Sequence, residues 1–139
     1  MRKLSSLAVL CVLAAALCAG TAAFAFDENH LMKFKATDEC PECDLSGVDL
    51  SRAILQGAIL KDADLGGASL EGANLRGANL TLSGLANANL EGANLTDADL
   101  YSADLRGADF TGANIEGARM KKATFCKTKM PWGIENKDC

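Results

Sequence analysis

The sequence predicts an all-β solenoid, and three observations predict it. From Leu45 to Phe125 every fifth residue is large and apolar, without a miss. Two places before each stands a small residue, Ala everywhere except at Cys43, Val48 and Ser83. Gly, Asp and Asn fill many of the places between, as at Gly57, Asn74, Gly77, Asn79, Asp99 and Gly107. A fixed internal repeat outranks other sequence signals, so the fold is read from it.

A period of five excludes the ordinary elements. On an α-helix, leucines five apart advance by roughly 140° each time and share no face. In one straight strand five is odd, so successive leucines point to opposite faces. The chain therefore turns once per repeat, with the leucine and the preceding small residue inside and the other three residues outside. Gly, Asn and Asp make such turns at low steric cost. Leucine burial alone does not offset ordering the backbone at about 1–2 kcal/mol per residue, so hydrogen bonds between coils must contribute.

The segments ADLGGASLEGANLRGANL and GANLTDADLYSADLRGADF resemble the pentapeptide-repeat family, whose unit is Ala, then Asp or Asn, then Leu, then two freer positions. The resemblance spans residues 43–125. It implies a right-handed quadrilateral β-helix with four pentapeptides to a coil and residues twenty apart stacked at about 4.8 Å. Four core columns follow: Leu45, Leu65, Leu85, Leu105 and Phe125; Leu50, Leu70, Leu90 and Phe110; Leu55, Leu75, Leu95 and Ile115; Leu60, Leu80, Leu100 and Met120. About four coils make a rod roughly 20 Å tall. Each coil touches only its neighbours, so both ends need caps.

Residues 1–25 read as a signal peptide. Arg2 and Lys3 supply the positive start, Leu7–Ala19 the apolar core, and Ala23-Phe24-Ala25 the cleavage site. Two rival readings are an uncleaved anchor over Leu7–Phe26, interrupted by Gly20 and Thr21, and a lipoprotein cysteine at Cys18, disfavoured by bulky Leu17. No stable membrane insertion is expected after cleavage. Without the signal Lys plus Arg falls from 14 to 12 while Asp plus Glu stays at 18, leaving a net charge of −6. That balance argues against a nucleic-acid binder, which needs basic surface to meet phosphate.

Residues 26–39 are expected to hold a capping helix over Asp27–Thr37, with Asp27 as N-cap and Leu31 and Phe34 on one face. Its apolar side would dock on the first coil. His30, the lone histidine, reads as a surface helix residue. Residues 40–130 form the repeat and residues 131–139 a capping tail; Met130, which keeps the spacing, and Trp132 would fold over the last coil.

Cys40-Pro41-Glu42-Cys43 invites a thiol oxidoreductase reading. A redox pair of this spacing sits at a helix N-terminus, which stabilises the thiolate. Here the helix precedes Cys40 and presents its negative end, and Cys43 fills an inward place, so a structural disulfide or a buried thiol pair is favoured. An even count of four cysteines in an exported chain leads to two bridges. The implied rod separates Cys126 from the first pair by nearly 20 Å, beyond the reach of about 4.4–6.8 Å between bridged Cα atoms. Cys126 is therefore paired with Cys139 and Cys40 with Cys43.

Only the outside can carry function. One column holds Asp44, Asp64 and Asp104, and the next side Asp49, Glu71, Glu91 and Asp109. Spread at coil spacing, these lack the converging oxygens that calcium prefers, and no metal or cofactor is expected. Ile54, Ile59 and Leu82 are apolar at outward places; with Tyr101 they form the candidate contact patch. No catalytic set is visible.

The flanks CPECDLSG and FCKTKMPWGIENKDC resemble the exported branch of the family, which implies the periplasm or the thylakoid lumen. The function expected is a non-catalytic exported scaffold or protein-interaction module, monomeric, with an unidentified protein partner. The alternatives are a DNA-mimicking topoisomerase-binding protein and a thiol-disulfide oxidoreductase acting through Cys40 and Cys43.

Overall fold

The computed structural model describes residues 27–139; the signal expected over 1–25 lies outside the described residues. Helix α1 spans Glu28–Thr37. Asp27 caps it, its carboxylate accepting the Asn29 N–H at 2.8 Å. Leu31 and Phe34 are buried, while Met32 between them is exposed. The helix is joined to the first coil by the Asp27 N–H, which donates to the Asp44 carbonyl at 3.2 Å. His30 is not a bare surface residue: its Nδ1 accepts the Asp44 N–H at 3.0 Å, so the imidazole is part of the cap.

Beyond the helix the chain is a β-helix solenoid. Asp44 pairs in parallel with Asp64, Asp64 with Gly84, Gly84 with Asp104, and Asp104 with Thr124. Three more ladders with the same twenty-residue step run from Asp49 to Lys129, from Ile54 to Asn114 and from Glu39 to Arg119. We call these the Asp44, Asp49, Ile54 and Ile59 sides. Each side is a single paired residue between two turns, too short to count as a strand.

The second residue after each leucine has positive φ, between 54° and 71° across the repeats. With the hydrogen bond that closes each turn, as from the Ala78 N–H to the Leu75 carbonyl at 3.0 Å, this is the type II pattern. Gly fills that place in about half of the repeats, as at Gly57, Gly67 and Gly77, and Asp, Asn, Arg, Lys, Ser or Leu fills it in the others.

Every N–H of a mid-rod repeat has a partner. Leu75 donates to Asn94 at 2.7 Å, Gly77 to Thr96 at 2.8 Å, and Asn79 to Ala58 at 2.9 Å, all across coils. Ala78 closes the turn, and the Arg76 N–H reaches the Asn74 side-chain oxygen at 3.3 Å. The repeat thus satisfies its own backbone, which the leucines alone cannot do. Ser83, buried at an Ala place, turns its hydroxyl back to the Leu80 carbonyl at 2.7 Å.

The core columns are buried from Leu45 through Phe110. Ile115, Met120 and Phe125 depart from the expected core, being only partly buried against it. Among the described residues no coil lies above Ile115 and Met120. The tail instead covers the Asp44 and Asp49 sides. Strand β1 (Thr128–Met130) pairs antiparallel with β2 (Gly133–Glu135), and Met130 is buried on the last coil. Trp132 corrects the expected lid. It sits in the tight turn between β1 and β2, is 64% exposed, and donates Nε1–H to Glu135 at 3.0 Å.

Candidate interaction surface

The outward Asp and Asn residues are first of all turn-makers. Those just before a core residue accept, through Oδ1, the N–H two residues on: Asp64 from Gly66 at 2.9 Å, Asn89 from Glu91 at 3.0 Å, Asp99 from Tyr101 at 3.0 Å. The family unit places Asp or Asn there because a short side chain with an acceptor satisfies that donor. Among the described residues no three His, Cys, Asp or Glu residues are grouped to hold a metal.

The carboxylate columns are interrupted. The Asp44 side reads Asp44, Asp64, Gly84, Asp104 and Thr124, and the Asp49 side Asp49, Ser69, Asn89, Asp109 and Lys129. Basic residues take up the remaining oxygens toward the upper end: Arg106 on Asp104, Arg119 on Asp99 at 2.9 Å, and Lys129 on Asp109 at 2.7 Å. Lys129 and the Thr111 hydroxyl hold Asp109 at a pKa of about 2. Arg106 likewise holds Asp104 below the usual carboxylate range.

Of the four patch residues, the structure brings two together. The Leu82 N–H donates to the Tyr101 carbonyl at 2.9 Å, and both lie on the corner between the Ile59 and Asp44 sides. Ile59 lies one coil below Leu82 on the adjoining side, and Ile54 one side further back. Leu82 is 50% exposed with φ 61°, a left-handed backbone that L residues with branched side chains avoid. Lys122 stands 5.4 Å from the centre of the Tyr101 ring and holds its hydroxyl below the ordinary tyrosine pKa. The corner is therefore an apolar residue in a strained turn beside an aromatic ring carrying a cation. Sequence reading misses Lys122, because only the twenty-residue step places it near Tyr101.

A shallow groove of about 350 Å³ follows the opposite edge of the Asp44 side, lined by Ala86, Asn87, Arg106, Gly107, Cys126 and Lys127. It holds no nucleophile beside a general base. Both cysteine pairs are disulfides, Cys40 with Cys43 and Cys126 with Cys139, with Cα atoms 5.3 and 4.9 Å apart. Cys40 and Cys43 are buried, whereas Cys139 is exposed. Among the described residues no helix is long and apolar enough to cross a membrane.

Comparison with known proteins agrees with this geometry. The family model for pentapeptide repeats matches residues 43–81 and 88–125 in eight copies. A pentapeptide repeat protein of the Arabidopsis thaliana thylakoid lumen is 32% identical, with a TM-score of 0.63, over 65% of this chain and 63% of its own. HetL, a pentapeptide repeat protein involved in heterocyst differentiation regulation in Nostoc, is 39% identical over 68% of this chain and 41% of its own, with a TM-score of 0.38. QnrB1, a plasmid-mediated fluoroquinolone resistance protein, is 26% identical in a trypsin-treated variant, over 63% of this chain and 62% of its own, with a TM-score of 0.39. The chain thus spans less than two thirds of each of these structures, and no curated protein matches its sequence. With the family model covering more than half of its residues, the chain belongs to the pentapeptide-repeat family.

Proposed function

We propose that this chain is a non-catalytic, exported pentapeptide-repeat module, a right-handed quadrilateral rod that binds a protein partner through the Leu82–Tyr101 corner. The observation that carries the reading is Leu82 itself. Its turn place is filled elsewhere by Gly or a polar residue, yet here an apolar side chain stands half exposed in a left-handed turn. Strain of this kind clusters where a surface is used. Two disulfides, one of them fully buried, fit an oxidising compartment, and the lumenal Arabidopsis neighbour supports the thylakoid lumen or the periplasm as its place. The topoisomerase-binding alternative is less well supported, because the carboxylate columns are interrupted at Gly84, Ser69 and Asn89 and export would remove the chain from that target.

The test is crosslinking in intact cells with wild type and Leu82→Asn. Asn accepts the same backbone, as Asn87 does with φ 58°. Loss of the captured partner with an unchanged melting profile supports the reading. An unchanged crosslinking pattern overturns the corner as the contact.

A further inference from the structure

The two ends of the rod are finished differently. The first coil is sealed by α1, His30 and the Cys40–Cys43 bridge. The last coil is finished on two sides only, where β1, β2 and the side chains of Asn136 and Asp138 take up its backbone. On the Ile54 and Ile59 sides residues 113–122 end in an open edge. One coil below, the same groups are bonded: Leu95 donates to Asn114 at 2.7 Å, Asp97 to Glu116 at 2.9 Å, Leu100 to Arg119 at 2.8 Å, and Ser102 to Lys121 at 3.0 Å. Among the described residues, the corresponding N–H groups of Ile115, Gly117, Met120 and Lys122 have no protein acceptor, and the Ala113 and Ala118 carbonyls no donor. Behind that edge Ile115, Ala118, Met120 and Phe125 are half covered, whereas Leu95, Ala98, Leu100 and Leu105 one coil lower are fully buried.

The charge at this end is opposite to that of the shaft. Residues 27–118 carry six Lys and Arg against sixteen Asp and Glu, while residues 119–139 carry six against Glu135 and Asp138 alone. Arg119, Lys121 and Lys122 fall within or beside the open edge, and Lys121 has no ion-pair partner among the described residues. Lysines on an edge discourage identical edges from pairing, so two copies repel each other end to end. They attract an extended segment of the opposite charge.

We propose that this half-open end receives an acidic, extended segment of a partner protein, about ten residues long, which adds one half-coil to the rod by strand addition. Its main chain meets the free groups of residues 113–122, and apolar side chains five apart cover Ile115 and Met120. The proposal rests on the interaction-module reading; its open edge lies one coil above the Leu82–Tyr101 corner and shares Lys122 with it.

The probe is a fluorescein-labelled peptide, Ala-Asp-Leu-Glu-Gly repeated twice, set against a twin with Lys at every Asp and Glu. Anisotropy is measured with the disulfide-bonded protein. The acidic peptide is expected to bind, and to weaken about tenfold when Lys121→Glu and Lys122→Glu are combined, because exposed charge pairs of this kind steer and select. Arg76→Ala, an exposed change at mid-rod, should leave the peptide's affinity unchanged. Failure of the acidic peptide, equal binding of both peptides, or indifference to the double substitution overturns the proposal. So does dimerisation in light scattering that Ile115→Asp abolishes, since a second copy would then be the occupant. If the peptide fails while crosslinking still depends on Leu82, the interaction module stands and only the end site falls.

Discussion

Asp138 and Phe125 bond to each other twice. The Asp138 N–H donates to the Phe125 carbonyl at 2.8 Å, and the Phe125 N–H donates to the Asp138 carboxylate at 2.9 Å. Along the rod the next coil accepts the N–H at this place and the turn residue three on donates to the carbonyl; here the tail supplies both partners, one of them a side chain. The exchange works because Cys139, the next residue, is tied to Cys126 beside Phe125.

That tie is the basis of the first prediction. Cys139→Ser frees a loop whose closure contributes about 3 kcal/mol in the chain-entropy model. Amide exchange should quicken around Phe125 and Lys127 while Leu75 stays protected. Equal acceleration at both places would mean that the tail does not hold the upper end separately.

At mid-rod, Leu75→Asp places a carboxylate where no partner exists and should cost several kcal/mol, about 3 or more. Arg76, one residue on, faces solvent, so Arg76→Ala should be nearly neutral. Matching unfolding midpoints for the two variants would refute the inside and outside assignment.

Leu82→Asn should be no less stable than wild type. A left-handed backbone costs an ordinary L residue about 1–2 kcal/mol, and Asn tolerates it better. Relief of that strain offsets the modest apolar burial of a half-exposed leucine. A fall of more than about 1 kcal/mol in denaturant would show that Leu82 holds its corner together, which a surface role does not require.

The Asp109–Lys129 pair fastens β1 to the coil beneath and should lose its effect in acid. The folded pKa of Asp109 is depressed from 3.8 to about 2, so its contribution is complete above the ordinary value. It disappears as pH falls through about 2. Wild type and Asp109→Asn should therefore differ at pH 5, by less than about 1 kcal/mol for so exposed a pair, and converge near pH 2. A difference that persists at pH 2 would place the effect elsewhere.

The shaft is legible in the sequence because each of its determinants recurs. Leu75 and Ala73 show the same spacing as Leu95 and Ala93, and a twenty-residue step stacks them. The ends are less legible because their residues occur once. Trp132 has the composition of a lid, but the tight turn between β1 and β2 swings it into solvent. Ile115 and Met120 carry the repeat's pattern and yet are only partly buried, since burial depends on the next layer and among the described residues none lies above them. His30 looks idle in the sequence because its partner, the Asp44 N–H, belongs to another element. At the candidate corner Leu82 is visible as an irregular residue, but its strain is not, because φ follows from where the turn falls.

The twenty-residue step also fixes how such a rod can change length. Adding or deleting one whole coil moves the tail along the axis and returns Cys126, Asp109 and the free edge to the same sides. Adding a single pentapeptide turns everything beyond it by one side, so the tail would cover a different pair of sides and expose another edge. Length therefore varies freely only in quanta of twenty residues, and a five-residue insertion acts as a rotation that re-aims the upper end without disturbing the core below.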